Sequence, residues 1–492
     1  MLNLRRSIFI TFISTNISTI IQFGVTVILS RLLTPSEVGI FSVTAVLISI
    51  ISVFRDFGVS SYLQQERNLT PEKARSAFGL LLTTSWLLAG FTYFSRGYIA
   101  SYYNQPGIAE ILTVLCISFT LVPFAAYFFA ILNRNLQAGK QAYVNVFSSI
   151  AYAITCITLA NLGFSYMALA WANVANISVC ILIYLFIRPK EFSFVPKFSG
   201  WMVPIKFGSG AIAGNLLTNI NLAIPDLVLG KISDMHSVGL YSRANGLVGI
   251  FQQVAGPTIT YNTIPFLSKN HHDNVPLAPI LSKATSYLTG VAWPAFIVTV
   301  IFAEEIIRFL YGAQWIAAAP IAGLIALQTM VRFGYSLNQS ALLAIGRPYL
   351  SVFPSGASIL ARIGIVIAFG ANDLMTFAIA LCVADIATVV VPAFLMSKYM
   401  GFTLRHSIGA HWPSILLGFG CIVVTLLLKL IIPANWSDLL KLILVAVVLI
   451  PTWFTLMISI RHPLCQELPS ILHKFFPVSF ANKLINYINP AH

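Results

Sequence analysis

Eight ionisable side chains stand inside long apolar stretches of this chain: the cations Arg55, Lys206, Arg243, Arg332 and Arg362, and the anions Asp56, Asp226 and Asp385. A charge deep in a membrane-spanning helix costs roughly 2.5–3.5 kcal/mol on insertion scales, so such residues face a partner or a wet cavity. Cations are in excess. A guanidinium left unpaired matches phosphate oxygens, so Arg55, Arg332 and Arg362 point to an anionic cargo. The other reading is a structural ion pair, Asp385 with Arg332 or with Arg362. Lys206 and Arg243 lie near expected helix ends, where long side chains reach the interface. Asp56 and Asp385 are candidates to carry a coupling proton or sodium ion. Asp56 adjoins Arg55, but successive residues on a helix diverge by about 100° and need not pair.

Uncharged polar residues form stripes at helical spacing. One holds Thr15, Ser18, Thr19, Gln22, Thr26 and Ser30; another holds Asn215, Thr218 and Asn219. Gln328, Arg332, Tyr335 and Gln339 follow i, i+4, i+7, i+11, which places them on one face of a single helix. Tyr241, Asn245 and Gln252 are spaced similarly. Two readings stay open. Small and hydroxyl residues glue membrane helices together, or the stripes line a cavity that hydrogen-bonds a polyhydroxylated cargo. Other chemistry lacks its residues. The eight histidines fall in loops, at span ends or in the tail, and His271-His272 reads as a solvated loop. The six cysteines are scattered without metal-ligand spacing, and read as small buried apolar residues. No phosphate-binding loop or hydrolase signature occurs. No metal and no cofactor is expected.

The elements that hold these residues must be helices in lipid. The chain has 492 residues, 58% hydrophobic and 9% charged, with mean hydropathy +0.84. A soluble domain carries roughly a quarter charged residues. The net charge of +14 lies mostly in loops, so nucleic acid is discounted. Fourteen apolar runs approach the ~20 residues needed to cross the hydrocarbon core as helix: 8–30, 38–63, 76–95, 108–131, 142–160, 165–187, 201–229, 238–267, 281–303, 316–345, 350–370, 374–397, 412–432 and 439–460. The first run is too long for a cleavable signal peptide and has no small-residue cleavage site. Placing the N-terminus in the cytoplasm puts three times as many Lys and Arg on inner as on outer segments. The expected orientation is therefore both termini inside.

One stretch is written twice at a shift of 200. Leu29-Ser30-Arg31-Leu32 meets Leu229-Gly230-Lys231-Ile232, and Val38-Gly39-Ile40-Phe41-Ser42 meets Val238-Gly239-Leu240-Tyr241-Ser242. The repeat implies two lobes of six spans, 1–190 and 191–400, related by a pseudo-twofold axis along the membrane normal. Arg188–Gly200 is the linker. Residues 401–461 hold two appended spans, and 462–492 form a cytoplasmic tail with a candidate surface helix at Ile471–Ile485. Pro225-Asp226 predicts a kink or break in the seventh span.

With these residues in place, the chain resembles the Wzx-type lipid-linked oligosaccharide flippases of the multidrug/oligosaccharidyl-lipid/polysaccharide (MOP) superfamily. The branch nearest in pattern includes colanic-acid and teichuronic-acid exporters. Leu29–Phe41, Asp56-Phe57-Gly58, Val238–Ala244, Tyr311-Gly312-Ala313-Gln314-Trp315 and Ala344-Ile345-Gly346-Arg347-Pro348 carry the resemblance. It implies an all-α, MATE/MOP-like membrane fold and a cargo of oligosaccharide on undecaprenyl pyrophosphate. It also implies alternating access through a cationic central cavity. The expected location is the bacterial cytoplasmic membrane, beside glycan polymerase and glycosyltransferase partners. A cation-coupled small-molecule or drug antiporter is the alternative, and a glycan-polymerising enzyme the third reading. The short outer segments disfavour the enzyme.

Overall fold

The computed structural model describes residues 2–189 and 194–467. At 2–9, 11–12, 207–213 and 254–262 only the backbone is described, and Ile471–Ile485 lies outside the described residues. Every regular element among them is helical. Two compact units emerge, Met1–Ser242 and Arg243–His492.

The first unit holds α1 (Leu2–Leu32), α2 (Pro35–Asp56), α3 (Val59–Gln65), α4 (Pro71–Tyr103), α5 (Pro106–Arg134), α6 (Ala138–Asn161), α7 (Met167–Ile187), α8 (Met202–Ile232) and the first turns of α9 (Met235–His272). Local chemistry sets the starts. Thr34 and Glu37 form a capping box with Pro35 in the first turn, and Thr70 caps α4 ahead of Pro71. The core is aromatic: Phe78, Tyr127, Phe128 and Tyr184 are buried together, and Phe194 of the linker packs on them. The linker is tied to α4. Lys197 N–H donates to the Arg75 carbonyl at 3.0 Å, and Arg75 Nε to the Val195 carbonyl at 3.0 Å.

The second unit continues α9 and adds α10 (Leu277–Ile301), α11 (Ala303–Tyr311), a 3-10 turn at Ala313–Ala318, α12 (Ala319–Phe333), α13 (Asn338–Ala344), α14 (Val352–Ala368), α15 (Leu374–Ala387), α16 (Val390–Met400), α17 (Leu404–Ile431) and α18 (Asp438–Ser459). Its core includes Leu281, Leu342, Met396 and Phe402.

Twelve segments among the described residues are helical, long and apolar enough to cross a membrane. The remaining two expected spans fall on α8 and α9, which contain residues whose side chains are not described. Three expected spans are not single helices. Residues 38–63 break at Phe57 and Gly58, both left-handed (φ 43° and 71°). Residues 316–345 break between Phe333 and Asn338, and 374–397 between Ala387 and Val390. Conversely α8 runs unbroken through Pro225. Neighbouring helices and local adjustment re-satisfy the carbonyl that proline leaves, so a membrane helix tolerates it.

Candidate functional site

Four of the eight embedded charges stand at helix breaks. Arg55 and Asp56 end α2, Arg332 sits in the last turn of α12, and Asp385 in the last turn of α15. A helix C-terminus carries partial negative charge, which suits Arg55 and Arg332. Irregular backbone at membrane depth persists only where protein or a wet cavity satisfies it.

In the second unit the carboxylate of Asp385 gathers two guanidinia. Arg362 reaches it through two nitrogens, Nε to Oδ1 at 2.8 Å and an Nη to Oδ2 at 2.9 Å. Arg332 Nη1 meets Oδ2 at 3.1 Å. Asp385 is fully buried and the Arg362 side chain nearly so, whereas that of Arg332 is 44% exposed. Two cations on one anion leave the cluster with a net charge of +1, presented through Arg332. The sequence left open which arginine pairs with Asp385; both do.

Gln328, Arg332, Tyr335 and Gln339 do not share one face. The helix ends at Phe333, and the next residue, Gly334, lies against the His411 ring, where a side-chain carbon would overlap it. Short turns follow, with Tyr335 N–H on the Arg332 carbonyl and Ser336 N–H on the Phe333 carbonyl. Tyr335 hydroxyl is 2.8 Å from Ser407 Oγ on α17. Gln328 is buried and Gln339 exposed. Arg243 lies over the Trp315 and Tyr311 rings, at 5.5 and 6.0 Å.

In the first unit, α2 and α8 enclose a cleft of about 210 Å³ lined by Ser49, Ser52, Asp56, Gly58, Asn215 and Asn219. Asp56 Oδ1 accepts from Ser60 at 2.5 Å. Asn219 Nδ2 donates to the Asn215 carbonyl at 2.9 Å. Arg55 turns away, its guanidinium 5.4 Å from the centre of the Phe119 ring. No ion pair involving Arg55 is found among the described residues. The α1 stripe largely serves its own backbone: Thr19 donates to Thr15, Thr26 to Gln22 and Ser30 to Thr26. That is the habit of membrane-helix hydroxyls. Gln22 is exposed, Thr19 half-buried, Lys206 exposed and Tyr241 buried.

The structure also shows what the sequence did not announce. Asp226 accepts from Ser42 at 3.0 Å, and Ser42 Oγ lies 3.0 Å from Ser242 Oγ. The signal was present, since 42 and 242 are equivalent positions of the repeat, but equivalence does not reveal contact.

Membrane-length helices interrupted at charged residues define a polytopic, transporter-like membrane protein. Residues 28–320 match the family described as "Polysaccharide biosynthesis protein", more than half of the sequence, and the chain belongs to that family. It is similar to the teichuronic acid biosynthesis protein TuaB of Bacillus subtilis, 23% identical over 423 residues, covering 83% of this chain and 84% of TuaB. Its fold is that of the lipid II flippase MurJ in an inward closed conformation. The TM-score is 0.72 at 18% identity, over 92% of this chain and 99% of MurJ. An inward-facing MATE multidrug-resistance transporter of the MOP superfamily matches with TM-score 0.60 at 15% identity, over 80% of this chain and 95% of that one. The expected MATE/MOP-like, all-helical fold is thus the observed one.

Proposed function

We propose that the chain turns undecaprenyl-pyrophosphate-linked oligosaccharide repeat units from the cytoplasmic to the outer leaflet, by alternating access, for surface polysaccharide synthesis. It acts as a transporter and not as an enzyme. It sits in the bacterial cytoplasmic membrane with both termini inside, beside the glycosyltransferases that build its cargo and the polymerase that uses it. The lobes of the repeat are taken as 1–190 and 191–400, with 401–461 appended, a division distinct from the two compact units, which part after Ser242. Family membership supports a polysaccharide role, and the flippase that shares its fold is named for a lipid-linked cargo. The carrying observation is the net positive cluster of Arg332, Arg362 and Asp385, with Arg332 half-open to attract a phosphate. Asp385, held by two arginines, is a poor carrier for a coupling ion. Asp56, which keeps one oxygen open, is the better one.

The test is a deletion strain. Lipid-linked repeat units should accumulate on the inner leaflet, and the wild-type gene should restore surface polymer. Arg332→Ala should insert normally and fail to restore it. Normal surface polymer in the deletion strain, with no second exporter present, overturns the reading. The shared MATE fold favours one rival, a drug antiporter, which would change drug susceptibility and leave the glycan untouched.

A further inference from the structure

We infer that the cleft between α2 and α8 is a sugar-reading subsite that selects the glycan of the cargo and rejects its phosphates. This rests on the function proposed above and adds to it where specificity lies. The hydrogen-bonding inventory decides the ligand class. Asp56 has Oδ1 engaged by Ser60, and no partner for Oδ2 is found among the described residues. Asn219 gives one N–H of its amide to the Asn215 carbonyl, and no partner is found among the described residues for its side-chain oxygen. The exposed amide of Asn215 and the hydroxyl of Ser52 add donors as well as acceptors. A carboxylate flanked by amides and hydroxyls takes the paired hydroxyls of a sugar ring, since each sugar hydroxyl both donates and accepts.

Phosphate fits badly for the opposite reason. Among the described residues no lysine or arginine lines the cleft, and the one ionisable side chain in its lining is Asp56. The nearest cation in sequence, Arg55, is turned onto Phe119. The shape agrees. About 210 Å³ is below the ~300 Å³ at which drug-sized ligands begin to fit, so the cleft seats one ring rather than a chain. The break at Phe57 and Gly58 gives the cleft an irregular wall, the backbone arrangement found where membrane transporters grip cargo.

The experiment measures binding to the purified full-length protein by native mass spectrometry with two probes. One is bare undecaprenyl pyrophosphate. The other is the lipid-linked repeat unit extracted from cells lacking the exporter. The wild type should prefer the glycosylated probe. Asn215→Ala and Ser52→Ala should each cut that preference roughly tenfold, the loss expected for one good hydrogen bond to a substrate, while binding of the bare lipid stays constant. Asn215 is exposed, so its truncation leaves the fold intact. Variants that keep the preference, or that weaken both probes alike, overturn the subsite. Equal wild-type affinity for both probes also overturns it, while leaving the flippase reading standing. Failure of the wild type to bind either probe sinks the flippase reading itself, and the subsite with it.

Discussion

Ser42 and Ser242 stand 200 positions apart in the chain and 3.0 Å apart in space. They are the same position in the two copies of the repeated motif. The glycines beside them obey the same exchange. A side-chain carbon on Gly39 would overlap the carbonyl of Met235, and one on Gly239 would overlap that of Pro35, and 35 and 235 are themselves equivalent. The two copies meet about a local twofold, as an isologous contact requires.

Gly39→Ala and Gly239→Ala should therefore cost similar stability. Overpacking typically costs ~1–3 kcal/mol; here the obstacle is backbone carbonyl, so the upper part of that range is expected. Gly24→Ala, with open space around it, should be neutral or slightly stabilising, because alanine is the better helix former. Thermal unfolding of the purified variants compares them. Unequal losses at 39 and 239 would contradict the reciprocal contact.

Asp385→Ala should be among the most damaging single changes. It leaves the buried Arg362 guanidinium uncompensated, and breaking a buried pair from one side costs ~3–5 kcal/mol. Arg362→Met combined with Asp385→Leu should recover much of the loss, since an apolar pair of similar volume removes the orphaned charge. Thermal stability of the single and double variants reads this directly, and a double variant no better than Asp385→Ala would argue against it.

Arg332→Ala separates stability from transport. Its side chain is 44% exposed and makes one contact to a carboxylate that Arg362 continues to hold. Exposed pairs contribute ~0–1 kcal/mol, so the variant should melt close to wild type. Export should nevertheless fail, because the open guanidinium is the part available to a phosphate. A well-folded variant with full export would assign Arg332 a purely structural role.

His462 should make stability fall in mild acid. It follows α18 and is buried, against Gly290, with its ring nitrogens near Ser414, Ser286 and the Leu464 N–H. No acidic group stands among these partners, and burial pushes its pKa down to about 4. The unfolded chain takes up the proton near pH 6.5 and the folded one only near 4. The contribution of neutral His462 is thus fully present above about pH 6.5 and is lost as pH falls toward 4. Melting curves of wild type and His462→Gln across that window should converge as pH drops. A constant gap would show that the histidine titrates normally.

Much of this protein was legible from residue types alone. Hydropathy fixed a helical membrane fold, because no other open backbone survives in lipid. The fixed shift of 200 exposed the duplication, and Arg332, Arg362 and Asp385 stood out because charges are rare at such depth. The breaks at Gly58, at Gly334 and at Thr388-Val389 were not read from the sequence, and Pro225 suggested a break in a helix that runs unbroken. Which arginine meets Asp385, which way Arg55 turns, and that Ser42 touches Ser242 were decided only by packing. Each depends on the rotation of one helix against another many residues away. A periodic sequence specifies which residues share a face of a helix, but the partner across that face is chosen by the tertiary contacts that fix the helix's roll and its point of interruption.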